Sequence, residues 1–527
     1  MREGSGIGIA MGIVHGPERE SGWRPLVHSP QEGRVGEPVA EICRALATIV
    51  HLSDVHICDA ESPARLEYLD HLADPGEPYA DIYEEIGTYR PQEILTAQVA
   101  LAMVRTVNEL TVGPVAGAPI DTVLVTGDVI DNAQANELGA YAAVLGGGAV
   151  TPRSGGVASS WVGAPSAGFW SDRFWHPEGP HAGHDPDRLT TAYGYPGVPG
   201  LSEAARVGFD SPGLALPWLT VHGNHDALLQ GTVAPTERTR ELAVGGARVV
   251  GLAPTQTPLA ALEATPALGP ARYVDEPESP TVAIAADDTR RLLRSGDLAE
   301  ALADLPGDHG FAAGERRGYW ARDVGGVRLL AMDTVNPYGG WQGSIDEEQF
   351  EWLRGELAAA DRPVVVTSHH PSWTLLNPYA PPGAGRRVLA DEVIRLLLGE
   401  PKVVLWLAGH VHGNTVRLHA SPHGGLLEVT TASLIDWPQQ GRLVEILEHP
   451  EGGFVVAMTV VDHGGWWPEY ESDLAAMLAD PVALAGLSRV LAANDFRARQ
   501  HPTALQWMAG RPEARNATWR VHRPPTP

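Results

Sequence analysis

The chain has 527 residues, enough for one large domain with insertions or for two to three smaller domains. Its 65 acidic residues outnumber its 38 Lys and Arg residues, and the formal net charge is −27. This excess argues against an extended nucleic-acid surface or a polybasic membrane surface. It does not exclude small phosphorylated partners, because bound metal ions supply local positive charge.

Residues 1–45 are rich in Gly, Pro, Glu and Arg without periodicity, which predicts an N-terminal arm that is either loose or draped over the surface. No apolar run approaches the roughly 20 residues that a membrane-spanning helix needs, and no ordered signal peptide is recognisable. We therefore expect no transmembrane segment and a cytoplasmic location, unless a misassigned start hides an export signal. The two cysteines, Cys43 and Cys58, are interpreted as buried, unpaired thiols.

Short apolar runs typical of buried strands recur along the chain, and polar residues follow most of them. The runs cover residues 47–52, 121–126, 216–221, 326–332, 363–367 and 403–407. Helical spacing over 91–112 and 345–357 separates some of these runs. Alternation of strands and helices predicts an α/β fold, in which ligands bind beyond the carboxyl ends of the strands.

Two long segments interrupt this pattern, and their length predicts ordered insertions rather than simple connections. Residues 136–212 are rich in Gly, Pro, Ser, Trp and Tyr, and we interpret them either as part of the substrate pocket or as a surface elaboration. Residues 228–316 are rich in Ala, Pro and Thr, with a predicted helix over 287–302. The main domain would then cover 46–470, and 471–527 would form a helical C-terminal extension and tail.

Five short motifs lie where strand-like runs end, and they supply oxygen and imidazole ligands. They are Asp54-Val55-His56, Gly127-Asp128, Gly223-Asn224-His225-Asp226, His369-His370-Pro371 and Gly409-His410-Val411-His412. Hard divalent metals prefer carboxylate and amide oxygens, while imidazole suits Zn, Fe and Mn. Each motif alone is weak, but their order and shared position predict a centre of two metal ions.

The order of the five motifs resembles that of the calcineurin-like metallophosphoesterase superfamily over roughly residues 46–465. The layout is also similar to an actinobacterial group of these proteins with long inserts between motifs. Members of that group often carry a twin-arginine export signal, which this sequence lacks. The resemblance implies a four-layer α/β/β/α sandwich with two large insertions and a helical C-terminal extension.

The resemblance also implies ligands for two divalent or trivalent ions, with Mn, Fe and Zn left open. One ion would be bound by Asp54, His56, Asp128 and His412, and the other by Asp128, Asn224, His369 and His410. His369 is preferred to its neighbour because family ligands at this motif usually lie two residues before the proline. His225 would contact the phosphoryl oxygens or protonate the leaving group, and Asp226 would orient its imidazole.

The implied activity is hydrolysis of a phosphoester bond in a small phosphorylated substrate by a metal-bridging hydroxide. Asp131 stands where purple acid phosphatases have a metal-binding tyrosine, and Asp226 stands where protein phosphatases have glutamate. These departures favour a phosphodiesterase, with a phosphomonoesterase or nucleotidase as the alternative. A catalytically retired binding protein of the same fold is the alternative from another class, and the complete ligand set argues against it. The sequence leaves the oligomeric state open.

Overall fold

The computed structural model describes residues 12–28, 43–65, 67–78, 89–156, 161–164, 170–257, 278–294, 296–421, 424–468, 473–501 and 503–521. Residues 1–11 and 29–42 of the predicted arm, and residues 258–277 of the second predicted insertion, lie outside this description. None of the described helices is long and apolar enough to cross a membrane.

Two six-stranded sheets form the centre of the fold. Their strands are β1 Arg44–Leu52, β2 Thr122–Thr126, β3 Trp218–Val221, β4 Trp320–Val324, β5 Val327–Met332, β6 Val364–Ser368, β7 Val403–Ala408, β8 Thr415–Ser421, β9 Gly424–Thr430, β10 Gln440–Glu448, β11 Phe454–Asp462 and β12 Ala517–Val521. The first sheet has the order β12-β11-β10-β1-β2-β3, and the second has the order β4-β5-β6-β7-β9-β8. In the first sheet β1, β2 and β3 are parallel, and in the second β5, β6, β7 and β9 are parallel.

Helices and shorter strand pairs surround the two sheets. The helices are α1 Glu67–Asp70, α2 Thr96–Glu109, α3 Ala135–Gly146, α4 Arg188–Tyr193, α5 Leu201–Ala205, α6 Glu237–Val244, α7 Asp297–Ala303, α8 Glu347–Ala359, α9 Ala390–Gly399, α10 Leu474–Leu478, α11 Pro481–Ala493 and α12 Ala504–Ala509. The two-stranded pairs are Ile13–His15 with Leu26–His28, Gly148–Val150 with Phe209–Ser211, Ala247–Val249 with Thr281–Ala283, and Ile345–Asp346 with Arg387–Val388.

The two faces of the second sheet pack into two different hydrophobic clusters, because successive side chains of a strand point to opposite faces. Leu329 and Val365 join a cluster with Val50 and Val125 of the first sheet, so the two sheets pack against each other. The intervening residues face α8 and α9, as Val366 does in a cluster with Leu353 and Val393. A strand buried on both faces reads as a continuous apolar run, which is why β6 and β7 were recognisable in the sequence. The predicted α/β class is confirmed.

Two local predictions differ from the structure. The helix predicted over 287–302 begins only at Asp297, because Gly296 adopts a left-handed conformation (φ 84°) directly before it. The C-terminal segment is helical over α10 to α12 but also contributes β12, which pairs with β11 at the edge of the first sheet. In the described part of the N-terminal arm, Trp23 and Leu26 are buried in a cluster that includes residues of α11.

Candidate metal centre

The five motifs meet where parallel strands of both sheets end. Asp54, Asp128 and Asn224 follow β1, β2 and β3 within three residues, and His369 and His410 follow β6 and β7. The backbone N–H of His410 donates to the Asp54 carboxylate at 3.0 Å, which ties the end of the second sheet to the end of the first. The sandwich therefore brings residues from 54 to 412 to one place.

The first group of donors consists of Asp54, His56 and His412. The Nε2 atoms of the two imidazoles lie 3.3 Å apart, and His412 Nε2 lies 3.4 Å from Asp54 Oδ1. His56 Nε2 also lies 3.7 Å from Asp128 Oδ2. Three side chains that can each give one ligand atom are thus gathered closely enough for one ion.

The second group consists of Asp128, Asn224, His369 and His410. His369 Nε2 lies 3.1 Å from Asp128 Oδ2 and 3.2 Å from His410 Nδ1. Asn224 Nδ2 donates to the Gly231 carbonyl at 3.0 Å, which fixes the orientation of the amide. Asp128 lies close to both groups, as the bridging role predicted for it requires.

Two features indicate that these donors suit metal ions. Asn224 Oδ1 is buried and has no hydrogen-bond partner among the described residues, although buried carbonyl oxygens are normally bonded. In each group two imidazole nitrogens face each other at 3.2–3.3 Å, an arrangement that needs a shared proton or a cation between them. Carboxylate, amide and imidazole are ligands that Mn, Fe and Zn accept.

The backbone at the motifs is held in an uncommon conformation. Among the described non-glycine residues, positive φ angles between 48° and 69° occur at five proposed ligands, namely Asp54, His56, Asp128, His410 and His412. Non-glycine residues rarely adopt this left-handed conformation, and those that do cluster at functional sites. Glycines beside them allow close approach, because a Cβ at Gly223 would lie 2.1 Å from Asp128 N and one at Gly409 would lie 1.7 Å from Ser53 Oγ.

Two carboxylates that were not predicted as metal ligands accept hydrogen bonds from the histidines of the first group. His56 Nδ1 donates to Asp131 Oδ1 at 2.9 Å, and His412 Nδ1 donates to Asp436 Oδ2 at 2.6 Å. In metal sites, a carboxylate on the second ring nitrogen fixes the tautomer of a ligating histidine. Asp131 had a sequence signal, its place three residues after Asp128, whereas Asp436 belongs to no motif.

The prediction that Asp226 orients His225 is wrong. Asp226 instead accepts hydrogen bonds from the backbone N–H groups of Val129, Ile130 and Gly223 at 2.7–3.1 Å, and so holds the loop after β2 against the loop after β3. His225 Nδ1 donates to the Asp131 backbone carbonyl at 2.7 Å. The His225 ring also lies edge-on to His56, with ring centroids 4.5 Å apart, so it borders the first group.

Buried carboxylates raise the pKa of two imidazoles in the centre. Burial alone would lower the pKa of His412, but Asp54 and Asp436 raise it to about 10. Burial opposes protonation of His369 as well, yet Asp128 raises the pKa of that imidazole to about 9. A metal ion and a proton compete for the same ring nitrogen, so metal binding should release protons.

His225 differs from these rings because burial lowers its pKa to about 4 against the opposing effect of Asp128. Its Nδ1 is committed to a carbonyl acceptor, so Nδ1 carries the hydrogen and Nε2 is the nitrogen left for a substrate. The side chain is 12% exposed, which leaves it reachable from solvent. Nε2 is therefore the atom through which His225 can contact a substrate.

Neighbouring residues have structural roles. His370 Nε2 donates to the Trp341 carbonyl and its Nδ1 is paired with Thr334 Oγ1, so both of its ring nitrogens are engaged by hydrogen bonds. Cys58 is buried and receives a hydrogen bond from Arg65, whose Nη1 lies 2.8 Å from the sulfur. Arg442 is fully buried and donates to Asn414 and to backbone carbonyls, an arrangement that gives it a structural role.

An α/β sandwich with carboxylate, amide and imidazole groups gathered at its strand ends defines a metal-dependent hydrolase. Residues 199–414 match the sequence model of a family described as calcineurin-like phosphoesterase, a segment that contains Asn224, His369, His410 and His412. This segment of the chain therefore resembles calcineurin-like phosphoesterases, and the protein is a metal-dependent phosphoester hydrolase.

Solved structures with a similar arrangement include two from distant proteins. One is a dimetal phosphatase from Danio rerio, with 13% identity and a TM-score of 0.34 over 80% of this chain and 97% of that chain. Another is the sulfate thiohydrolase SoxB from Thermus thermophilus in complex with glycerol, with 14% identity and a TM-score of 0.29 over 85% of this chain and 60% of that chain. No curated protein matches the sequence.

Proposed function

We propose that the protein hydrolyses phosphodiesters of small substrates at a centre of two metal ions that share Asp128. The observation that carries this proposal is the position of the Asp128 carboxylate, whose Oδ2 lies 3.7 Å from His56 Nε2 and 3.1 Å from His369 Nε2. One carboxylate thus borders both donor groups, as a bridging ligand must. The proposed ligands are Asp54, His56, Asp128 and His412 for one ion and Asp128, Asn224, His369 and His410 for the other, with Mn, Fe and Zn as candidate metals.

Two ions held by these residues would activate a water molecule as the nucleophile and would place positive charge opposite the phosphoryl oxygens. The protein itself provides His225, which borders the first donor group and presents Nε2 to the substrate. In its protonated form, Nε2 donates its proton to the oxygen of the leaving group as the P–O bond breaks. A negatively charged phosphoryl group beside the ring favours that protonated form.

The surroundings of the centre favour a diester over a monoester. Arg65 and Arg90 lie beside the carboxylates that contact His56 and His412. Their guanidinium groups form ion pairs with those carboxylates and do not point toward a substrate. A diester carries one negative charge where a monoester carries up to two, so it needs less cationic assistance.

Aromatic surface lies on two sides of the centre, where a second ester group would fit. The Trp341 ring is nearly parallel to His410, with centroids 5.6 Å apart. The ring of Trp507 lies against Gly413, next to His412, and is 46% exposed. Tryptophan surfaces suit an apolar or aromatic ester substituent, which only a diester keeps beside its leaving group.

The test compares bis-p-nitrophenyl phosphate with p-nitrophenyl phosphate on metal-stripped protein before and after addition of Mn²⁺. We expect Mn²⁺-dependent cleavage with kcat/KM at least about tenfold higher for the diester, a difference of roughly 1.4 kcal/mol in the barrier. Faster cleavage of the monoester would replace the proposal with a phosphomonoesterase or nucleotidase. Inactivity on both, with two ions bound, would favour a binding protein of the same fold.

A further inference from the structure

Two arginines stand directly behind the carboxylates that hold the first donor group. Arg65 Nη1 donates to Asp131 Oδ2 at 2.5 Å, while the other oxygen of that carboxylate accepts from His56. Arg90 Nε donates to Asp436 Oδ2 at 3.1 Å and lies 2.9 Å from Oδ1; Oδ2 also accepts from His412, and Oδ1 accepts from Gln92. The same sequence of contacts, arginine to aspartate to histidine, therefore occurs twice and ends on two proposed ligands of one ion.

We propose that Arg65 and Arg90 are positioning residues that fix His56 and His412 through Asp131 and Asp436. Asp131 bonds Arg65 with one oxygen and His56 with the other, and Asp436 bonds Arg90 and His412 with Oδ2 and Gln92 with Oδ1, so neither carboxylate can rotate without losing a partner. The ring is then held with Nδ1 toward the carboxylate and Nε2 toward the metal position. This inference rests on the proposed metal centre. It adds the residues that keep two of the proposed ligands, His56 and His412, in position.

The arginines also place positive charge beside the two carboxylates, 2.5 Å from Asp131 Oδ2 and 2.9 Å from Asp436 Oδ1. A carboxylate that accepts from Nδ1–H makes the opposite ring nitrogen a better metal ligand.

Arg65 connects the centre to both predicted insertions. It donates to Glu67 at 2.9 Å and to Glu93 at 2.8 Å, and its side chain is fully buried. Glu67 also accepts from Arg248 Nη2 at 2.7 Å, and Arg248 Nη1 donates to the Val162 carbonyl at 2.8 Å. A continuous chain of ion pairs and hydrogen bonds thus leads from both insertions to His56.

The second donor group is held differently, which confines the expected effect to one ion. His369 Nδ1 donates to the Thr126 carbonyl at 2.8 Å, a backbone group that no side-chain substitution removes. Loss of Arg65 or Arg90 should therefore weaken the ion at His56 and His412 and leave the ion at His369 and His410 bound.

The test is a calorimetric titration of the metal-stripped full chain with Co²⁺, for the parent protein, Arg65→Met and Arg90→Met. We expect one of the two ions to bind about 10- to 100-fold more weakly in each variant, and the other ion to keep its parental affinity. Arg90→Lys, which keeps the charge, should bind the weakened ion with intermediate affinity. The visible absorption of bound Co²⁺ should change in the variants, because it reports ligand geometry independently of activity.

The matched control is Arg489→Met, since Arg489 is equally buried but donates only to the carbonyls of His463 and Gly465 in the described contacts. It should unfold at a lower temperature while binding both ions as the parent does. Parental affinity for both ions in folded Arg65→Met and Arg90→Met would overturn the positioning role, as would equal weakening in the control. A parent protein that binds no pair of ions would instead overturn the proposed function.

Discussion

Replacement of Asp128 by asparagine is expected to remove both metal ions and to lower kcat/KM for a phosphodiester by about 10³-fold or more, a loss of roughly 4 kcal/mol. Asp128 Oδ2 borders His56 on one side and His369 on the other. Asparagine has the same shape, and its carbonyl oxygen can keep the 2.8 Å hydrogen bond from the His225 backbone. Its NH₂ group would then point at the metal positions, where it donates and cannot ligate.

Metal content after gel filtration is the measurement, with turnover recorded on the same samples. The control is Asp121→Asn, because Asp121 lies directly before β2 and accepts from the Thr48 backbone at 2.8 Å, away from the donor groups. The control should retain two ions. Two ions in the Asp128→Asn variant would contradict the bridging role.

Stability of the metal-free state gives a second readout for the same variant. Asp128 is buried beside Asp54, and two carboxylates of like charge oppose each other there. The metal-free Asp128→Asn protein should therefore be folded and at least as resistant to urea as the metal-free parent. Loss of folding would leave its metal content uninformative, and Asp128→Glu would then test whether a displaced carboxylate still binds two ions.

His225→Ala is expected to keep both ions and to lose about 10²- to 10⁴-fold in kcat, the range typical of general acid–base groups. The ring contributes no ligand in the proposed centre and presents only Nε2 to a substrate. The loss should depend on the leaving group, because p-nitrophenolate departs without a proton and an alkoxide does not. We therefore expect a smaller loss for bis-p-nitrophenyl phosphate than for an alkyl diester.

His222→Ala is the matched control, since its side chain is 13% exposed, close to the 12% of His225, and lies on the same loop, but its Nδ1 faces Asp333 at 3.3 Å. Metal analysis of both variants should give two ions, and turnover of the control should be close to parental. An unchanged kcat in His225→Ala, or an equal loss for every leaving group, would remove the general-acid role.

Much of the framework was predictable because its signals are local in sequence. Strands β6 and β7 are buried on both faces, so they appear as continuous apolar runs, and the motif residues come directly after them. Three of the five motifs also contain a glycine, at Gly127, Gly223 and Gly409, which helps the chain to turn sharply there. Asp54 and His412 could be assigned to the same site only from the order of the motifs. They are separated by 357 residues, and no local sequence pattern connects them.

The positioning groups were harder to predict because their partners are remote in sequence. Asp226 follows His225 directly, and neighbours were expected to interact, but the turn directs the carboxylate to three backbone N–H groups instead. Asp436 reaches His412 from a loop between β9 and β10, and Arg90 joins it across 346 positions. These buried charges are brought into pairs only in the assembled fold. Neither the periodicity nor the motif spacing of the sequence predicts the pairs.

The most direct test of the two-metal centre is anomalous diffraction from crystals of the Mn²⁺-loaded protein at the manganese absorption edge. We predict two peaks roughly 3.5–4 Å apart. One should lie among Asp54, His56 and His412, and the other among Asn224, His369 and His410, with Asp128 between them. A single peak, or peaks away from these residues in a protein that hydrolyses the diester, would contradict the account.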